Sequence, residues 1–130
     1  MKAALVVVVA ALIAVSAFAM HAVQAQPVGG KRTELQRHDL GVPGREVVQV
    51  RVEIGPTPIR HTHPGEEIIY VLEGTLEYEI GGHSVTVKAG DVLFVPAGTP
   101  HSAKNIGITN GTELATYVVE EGKPLLMPVK

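Results

Sequence analysis

From residue 31 onward, polar and apolar positions follow the two-residue period of half-buried strands, and no stretch carries a convincing helical period. Val48, Val50, Val52 and Ile54 alternate with Gln49, Arg51 and Glu53, which predicts a strand with one buried face. Leu76, Tyr78 and Ile80 alternate with Thr75, Glu77 and Glu79. Gly81 and Gly82, followed by His83 and Ser84, then read as a hairpin turn into Val85, Val87 and Ala89. Two runs depart from this alternation. Glu67 to Leu72 is apolar on both faces, as expected for a strand held between the core and a second cover, and Val92 to Val95 reads as a buried run ended by Pro96. Ser102 to Ile106 and Glu113 to Val119 complete the strands. Gly41 to Gly44, Gly90-Asp91 and Gly107 to Thr112 supply turns and loops. Turn signals every 8 to 12 residues or so predict an all-β sandwich or barrel.

The first 25 residues do not share this pattern. Met1-Lys2 is followed by an unbroken apolar run from Ala3 to Val15, too short to span a bilayer and of the right length for the core of a signal peptide. Small residues allow cleavage after Ala19 or after Ala25, the second leaving Gln26 as the mature N-terminus. The expected organisation is a cleaved signal peptide at 1–25, a flexible mature start at 26–34 and one domain at 35–130. No Arg-Arg pair precedes the apolar run, so export by the general route is expected, with periplasmic or secreted localisation and membrane contact only during passage. Net charge is -2 and Lys and Arg are scattered, which argues against nucleic acid as a partner. The chain has no cysteine, so disulfides, thiolate metal sites and cysteine nucleophiles are excluded.

Histidine and oxygen ligands must then carry the chemistry. His61 and His63 stand two apart, so an extended chain puts both imidazoles on one face, and Pro64-Gly65 turns the chain before the carboxylates Glu66 and Glu67. Parity favours Glu67, which falls on the side of Ile69 and Val71, while Glu66 points away with Ile68 and Tyr70. The rigid turn Pro96 to Pro100 delivers a third imidazole, His101. Three imidazoles and one carboxylate suit one divalent transition metal (Fe, Mn, Cu, Ni or Zn) and do not suit the all-oxygen cages of calcium or magnesium. His38, beside Asp39, and His83, in the Gly-Gly turn, read as ordinary surface residues. Asn105 reads as a strand-end hydrogen-bonding residue and Asp91 as a turn residue, and Tyr78, Tyr117 and Arg51 are candidates to line the pocket, with barrel wall the more ordinary reading.

The two histidine segments resemble the paired motifs of the cupin superfamily. Gly55, His61-Thr62-His63, Glu67 and Gly74 fit the first motif in full, and Gly90, Pro96-Ala97-Gly98, His101 and Asn105 fit the second. The fifteen-residue spacer between Gly74 and Gly90 is similar to that of small single-domain bacterial members. The resemblance implies a double-stranded β-helix, or jelly-roll barrel, with His61, His63, Glu67 and His101 as metal ligands. Cupins host many unrelated activities, so the fold does not choose among them.

The function expected from the residues is that of an exported metal-binding protein, with a 3-His-1-Glu centre that acts on or binds a small oxygen-rich molecule. An open centre of this kind, with iron or manganese, fits an oxidoreductase of dioxygenase type, in which Glu67 doubles as a proton acceptor. The alternative is a non-catalytic, metal-dependent module for a small ligand. The doubly apolar strand 67–72 and the apolar tail from Pro124 to Val129 both call for cover, and a homodimer is expected to supply it.

Overall fold

A computed structural model describes residues 29–130. The expected signal peptide and both of its cleavage sites lie outside the described residues. Within them the chain forms ten strands and no helix. They are β1 (Lys31–Asp39), β2 (Arg45–Ile54), β3 (His61–Thr62), β4 (Gly65–Glu73), β5 (Thr75–Ile80), β6 (His83–Lys88), β7 (Val92–Val95), β8 (His101–Asn105), β9 (Gly111–Glu120) and β10 (Met127–Pro128). Two five-stranded antiparallel sheets, ordered β1-β2-β9-β4-β7 and β10-β3-β8-β5-β6, face each other as a jelly-roll barrel.

The inner faces are built from the alternating positions of the sequence. Val48, Val50, Val52 and Ile54 of β2 meet Ala115, Tyr117 and Val119 of β9, Ile69 and Val71 of β4, and Leu76 and Tyr78 of β5 in one core. These side chains are mostly β-branched or aromatic, which suits a pleated surface buried on one side. Strand β2 pairs with β9 without a shift from Arg45↔Glu120 to Ile54↔Gly111. A one-residue slip would turn this whole apolar set outward, so burial itself holds the register.

Three expectations are corrected. Strand β1 begins at Lys31, so residues 31–34 are ladder and not part of a flexible start. It has no apolar alternation and is held by pairing with β2, by Arg37 bridging Glu34 and Glu46, and by Gln36 donating to Gln49. The run Val92 to Val95 is not uniformly buried: Val92 and Phe94 are exposed, and only Val95 lies in the core. The tail at 124–129 is covered partly from within the chain, because Met127–Pro128 pairs with β3 and Leu125 packs on the core.

Candidate metal centre

The two sheets bring the candidate residues together from three places in the chain. In one sheet β3 pairs with β8 through His61↔His101, so the two imidazoles start from directly opposed positions. In the other, Glu67 on β4 is paired with Tyr117 on β9 and Val95 on β7 and points into the barrel. His63 lies on the segment that crosses from one sheet to the other. That crossing is tight: a Cβ added at Gly65 would lie 2.0 Å from the carbonyl oxygen of Val118, so only glycine lets β4 start there. The turn before His101 rests on Gly98, whose φ of +66° is left-handed and whose N–H donates to the His63 carbonyl.

All four side chains are buried. The ring centroids of His61, His63 and His101 lie 4.4 to 4.9 Å apart, and one ligand nitrogen from each falls within 4.8 Å of the others. The backbone fixes their tautomers. Nδ1 of His61 lies 2.8 Å from the Ile59 carbonyl, Nδ1 of His63 2.5 Å from that of Leu125, and Nδ1 of His101 2.9 Å from that of Thr99. A carbonyl only accepts, so each Nδ1 carries the proton and donates, which leaves each Nε2 with a lone pair.

Those lone pairs converge on one another and on a carboxylate. Glu67 Oε2 is 2.9 Å from His101 Nε2 and 3.3 Å from His63 Nε2. Among the described residues none of these three buried atoms has a hydrogen-bond partner. Electron pairs at such distances with no proton between them call for a cation. Two bonds of about 2.1 Å meeting at a right angle hold their donor atoms about 3.0 Å apart, which matches this spacing. The donor set therefore fits a divalent transition metal, and each ring is oriented from behind by a backbone acceptor, as metal-bound imidazoles usually are.

Electrostatics agree with ligand duty. Burial is the main cause that lowers His61 to about 4, aided by the other two imidazoles and by Arg32 and opposed by its bond to Ile59, so the ring is neutral at pH 7. Burial pushes the Glu67 carboxyl up, but His101 and His63 outweigh it and hold the group well below the usual carboxylate range when their Nε2 atoms carry protons toward it, a role a bound cation takes over when the rings are neutral.

The other candidates divide between the surface and the site. Glu66 turns outward and accepts from Arg45 at 3.0 Å, as parity required. Asn105 closes the following loop, accepting from Gly107 N–H and donating to the Thr109 carbonyl, and Asp91 caps the turn by accepting from Lys88 N–H. His38, His83 and Arg51 are exposed. Tyr117 is fully buried and tilts against His63 with ring centroids 4.6 Å apart. Two residues at the site were not anticipated. Glu113 is buried and lines the cavity beside the imidazoles, as does Arg32. Glu113 was legible, since it shares the inward parity of Ala115, Tyr117 and Val119. Arg32 was not, because β1 gives no pattern to place it.

A jelly-roll barrel enclosing a buried three-histidine cluster defines the class. The family model for the cupin domain matches residues 48–119, just over half of the chain, and the chain belongs to the cupin family. It is 42% identical over 60 residues to the oxalate-binding protein of Thermotoga maritima, covering 45% of this chain and 50% of that one. It is 36% identical over 55 residues to 3-hydroxyanthranilate 3,4-dioxygenase of Bos taurus, covering 39% of this chain and 19% of that one. Among solved structures, oxalate oxidase in complex with the substrate analogue glycolate superposes with a TM-score of 0.61 at 25% identity, covering 81% of this chain and 57% of that one. The similarity to the oxalate-binding protein spans about half of that relative's length.

Proposed function

We propose that this chain is a metal-dependent cupin whose His61, His63, His101 and Glu67 hold one divalent transition metal, and whose cavity takes a compact oxygen-rich acid of the oxalate class. The observation that carries this reading is the convergence of unpartnered Nε2 lone pairs and the Glu67 carboxylate in a buried cavity. That cavity is small, about 40 Å³. Pockets for drug-sized ligands run to about 300–1,000 Å³, so a two-carbon acid suits it better than a ring system. The names of the oxalate-binding relative and of the oxalate oxidase support the same class of ligand.

A bound ion of this kind supplies coordination positions for chelating oxygen atoms and, if it is iron, manganese or copper, electron exchange with dioxygen. The chain supplies the rest. The three backbone carbonyls behind the imidazoles hold the rings in place, the barrel excludes bulk water, and Glu67 is an ionised base already inside the site. On this basis turnover of dioxygenase or oxidase type is the leading reading. The second reading is a binding module, favoured by the oxalate-binding relative. Manganese- and iron-loaded protein is incubated with oxalate while dioxygen and oxalate are followed. Consumption of oxalate supports an enzyme. Thermal stabilisation by oxalate without consumption moves the assignment to a binding module, and neither effect removes both.

Export and dimerisation belong to the same proposal. The apolar run at 3–15 supports a signal peptide and an exported protein. Recovery of the uncleaved chain in the cytoplasmic fraction would contradict it. The exposed apolar residues Ile68, Tyr70, Val92 and Phe94 on adjacent edge-side strands support a homodimer. A monomer by sedimentation at micromolar concentration would remove that part.

A further inference from the structure

The cavity beside the imidazole cluster carries a second set of polar groups. Arg32, Glu113 and Tyr78 all line it. Arg32 is half-buried, whereas the remainder of β1 is exposed. Its Nη1 donates to the Tyr117 hydroxyl at 3.0 Å, which occupies one of the five N–H donors of a guanidinium. Among the described residues no carboxylate lies within ion-pair distance of it.

Glu113 is 3% exposed and Tyr78 1% exposed, and Glu113 Oε2 and the Tyr78 hydroxyl have no hydrogen-bond partner. Burial raises the Glu113 carboxyl well above its ordinary value and the charge of Glu67 adds to this, with Arg32 opposing. A neutral carboxylic acid is a donor, as is a phenol. The cavity wall thus offers a cation, a phenol and a carboxyl group, and the Tyr78 hydroxyl and Glu113 Oε2 have no partner among the described residues. Buried polar groups of this kind are normally satisfied, so their missing partners point to a ligand.

We propose that Arg32, Glu113 and Tyr78 form an anion anchor that takes the far carboxylate of a small dicarboxylic acid whose near carboxylate faces the imidazole cluster. This rests on the reading of the cluster as a metal centre for a compact acid, and it adds a selection rule. Oxalate and glycolate share a two-carbon skeleton and one carboxylate. They differ at the other end, where oxalate carries a second carboxylate and glycolate a hydroxyl. Arg32 is the residue that tells them apart, because a planar fork pairs with a carboxylate and gains far less from a neutral hydroxyl.

The test uses the full chain loaded with zinc, which is redox-inert and so separates binding from turnover. Calorimetric titration with oxalate and with glycolate is carried out on wild type, Arg32→Gln and Glu113→Gln. For Arg32→Gln the expected result is unchanged metal content, an oxalate affinity lower by about 10- to 100-fold and a glycolate affinity within about 3-fold of wild type. Glu113→Gln keeps an N–H donor at the position and is expected to hold oxalate within about 3-fold of wild type. Equal weakening of both acids by Arg32→Gln, no weakening, or loss of its metal overturns the anchor and leaves the metal-centre reading standing. A zinc-loaded wild type that takes neither acid overturns both.

Discussion

Strand β4 has two unlike faces. Inward, Glu67, Ile69 and Val71 are buried, the first among the imidazoles and the others in the core. Outward, Ile68, Tyr70 and Leu72 alternate with them and remain between 42% and 49% exposed. The composition of the two faces is nearly the same, so apolar character alone does not decide which side of a strand is core. Closure decides it: the inner face meets the opposite sheet, and the outer face, with Val92 and Phe94 of β7 beside it, meets nothing within the described chain.

Substitution separates the faces most sharply. Ile69→Ala removes a fully buried side chain and is expected to lower unfolding free energy by about 2–5 kcal/mol, measured by denaturant titration. If the same change costs under about 0.5 kcal/mol, the inner face is not the core described here.

On the inner face, acid acts through His61. His61 is lowered to about 4 in the folded chain from an ordinary value of 6.5, so between those values the unfolded chain binds more protons. Stability of the metal-free protein is therefore expected to be unaffected by this group above pH 6.5. It falls by up to about 3 kcal/mol as pH drops toward 4, and His61→Gln abolishes the fall.

Glu113 predicts a trend of opposite sign. Its carboxyl is raised in the folded chain above the ordinary 4.5, so the wild type loses stability from this group as pH rises past that value. Glu113→Gln has no proton to lose. Its stability relative to wild type is expected to increase with pH above 4.5 and to match wild type below it. A difference that does not change with pH would show that Glu113 titrates normally.

The outer face should give the smallest effect on folding. Phe94→Ser, at a position 57% exposed, is expected to change monomer stability by no more than about 0.5 kcal/mol while shifting sedimentation from dimer toward monomer. A large loss of monomer stability would mean that this face is already packed within one chain.

Much of this contrast was legible in the residues. The two-residue alternation of β2, β5 and β9 placed their inner faces, and parity alone separated Glu67 from its neighbour Glu66. The spacing of His61, His63 and His101 placed the cluster because each follows or precedes a proline-containing turn that fixes its direction. What could not be read was anything held by pairing without an apolar signature. Strand β1 is polar apart from the exposed Leu35, so the inward reach of Arg32 depends on its ladder with β2. The acceptors behind the imidazoles are backbone carbonyls, and the one serving His63 comes from Leu125, 62 residues away. A main-chain group leaves no trace in side-chain pattern.

The central claim is that His61, His63, His101 and Glu67 form one metal site, and titration of the metal-free chain with manganese and zinc, followed by metal analysis, tests it directly. The account predicts a single ion per chain in the wild type, with affinity reduced at least about 100-fold in His101→Ala and in Glu67→Ala while both variants remain folded. An unaltered affinity in either variant, or a wild type that retains no ion after gel filtration, would contradict it.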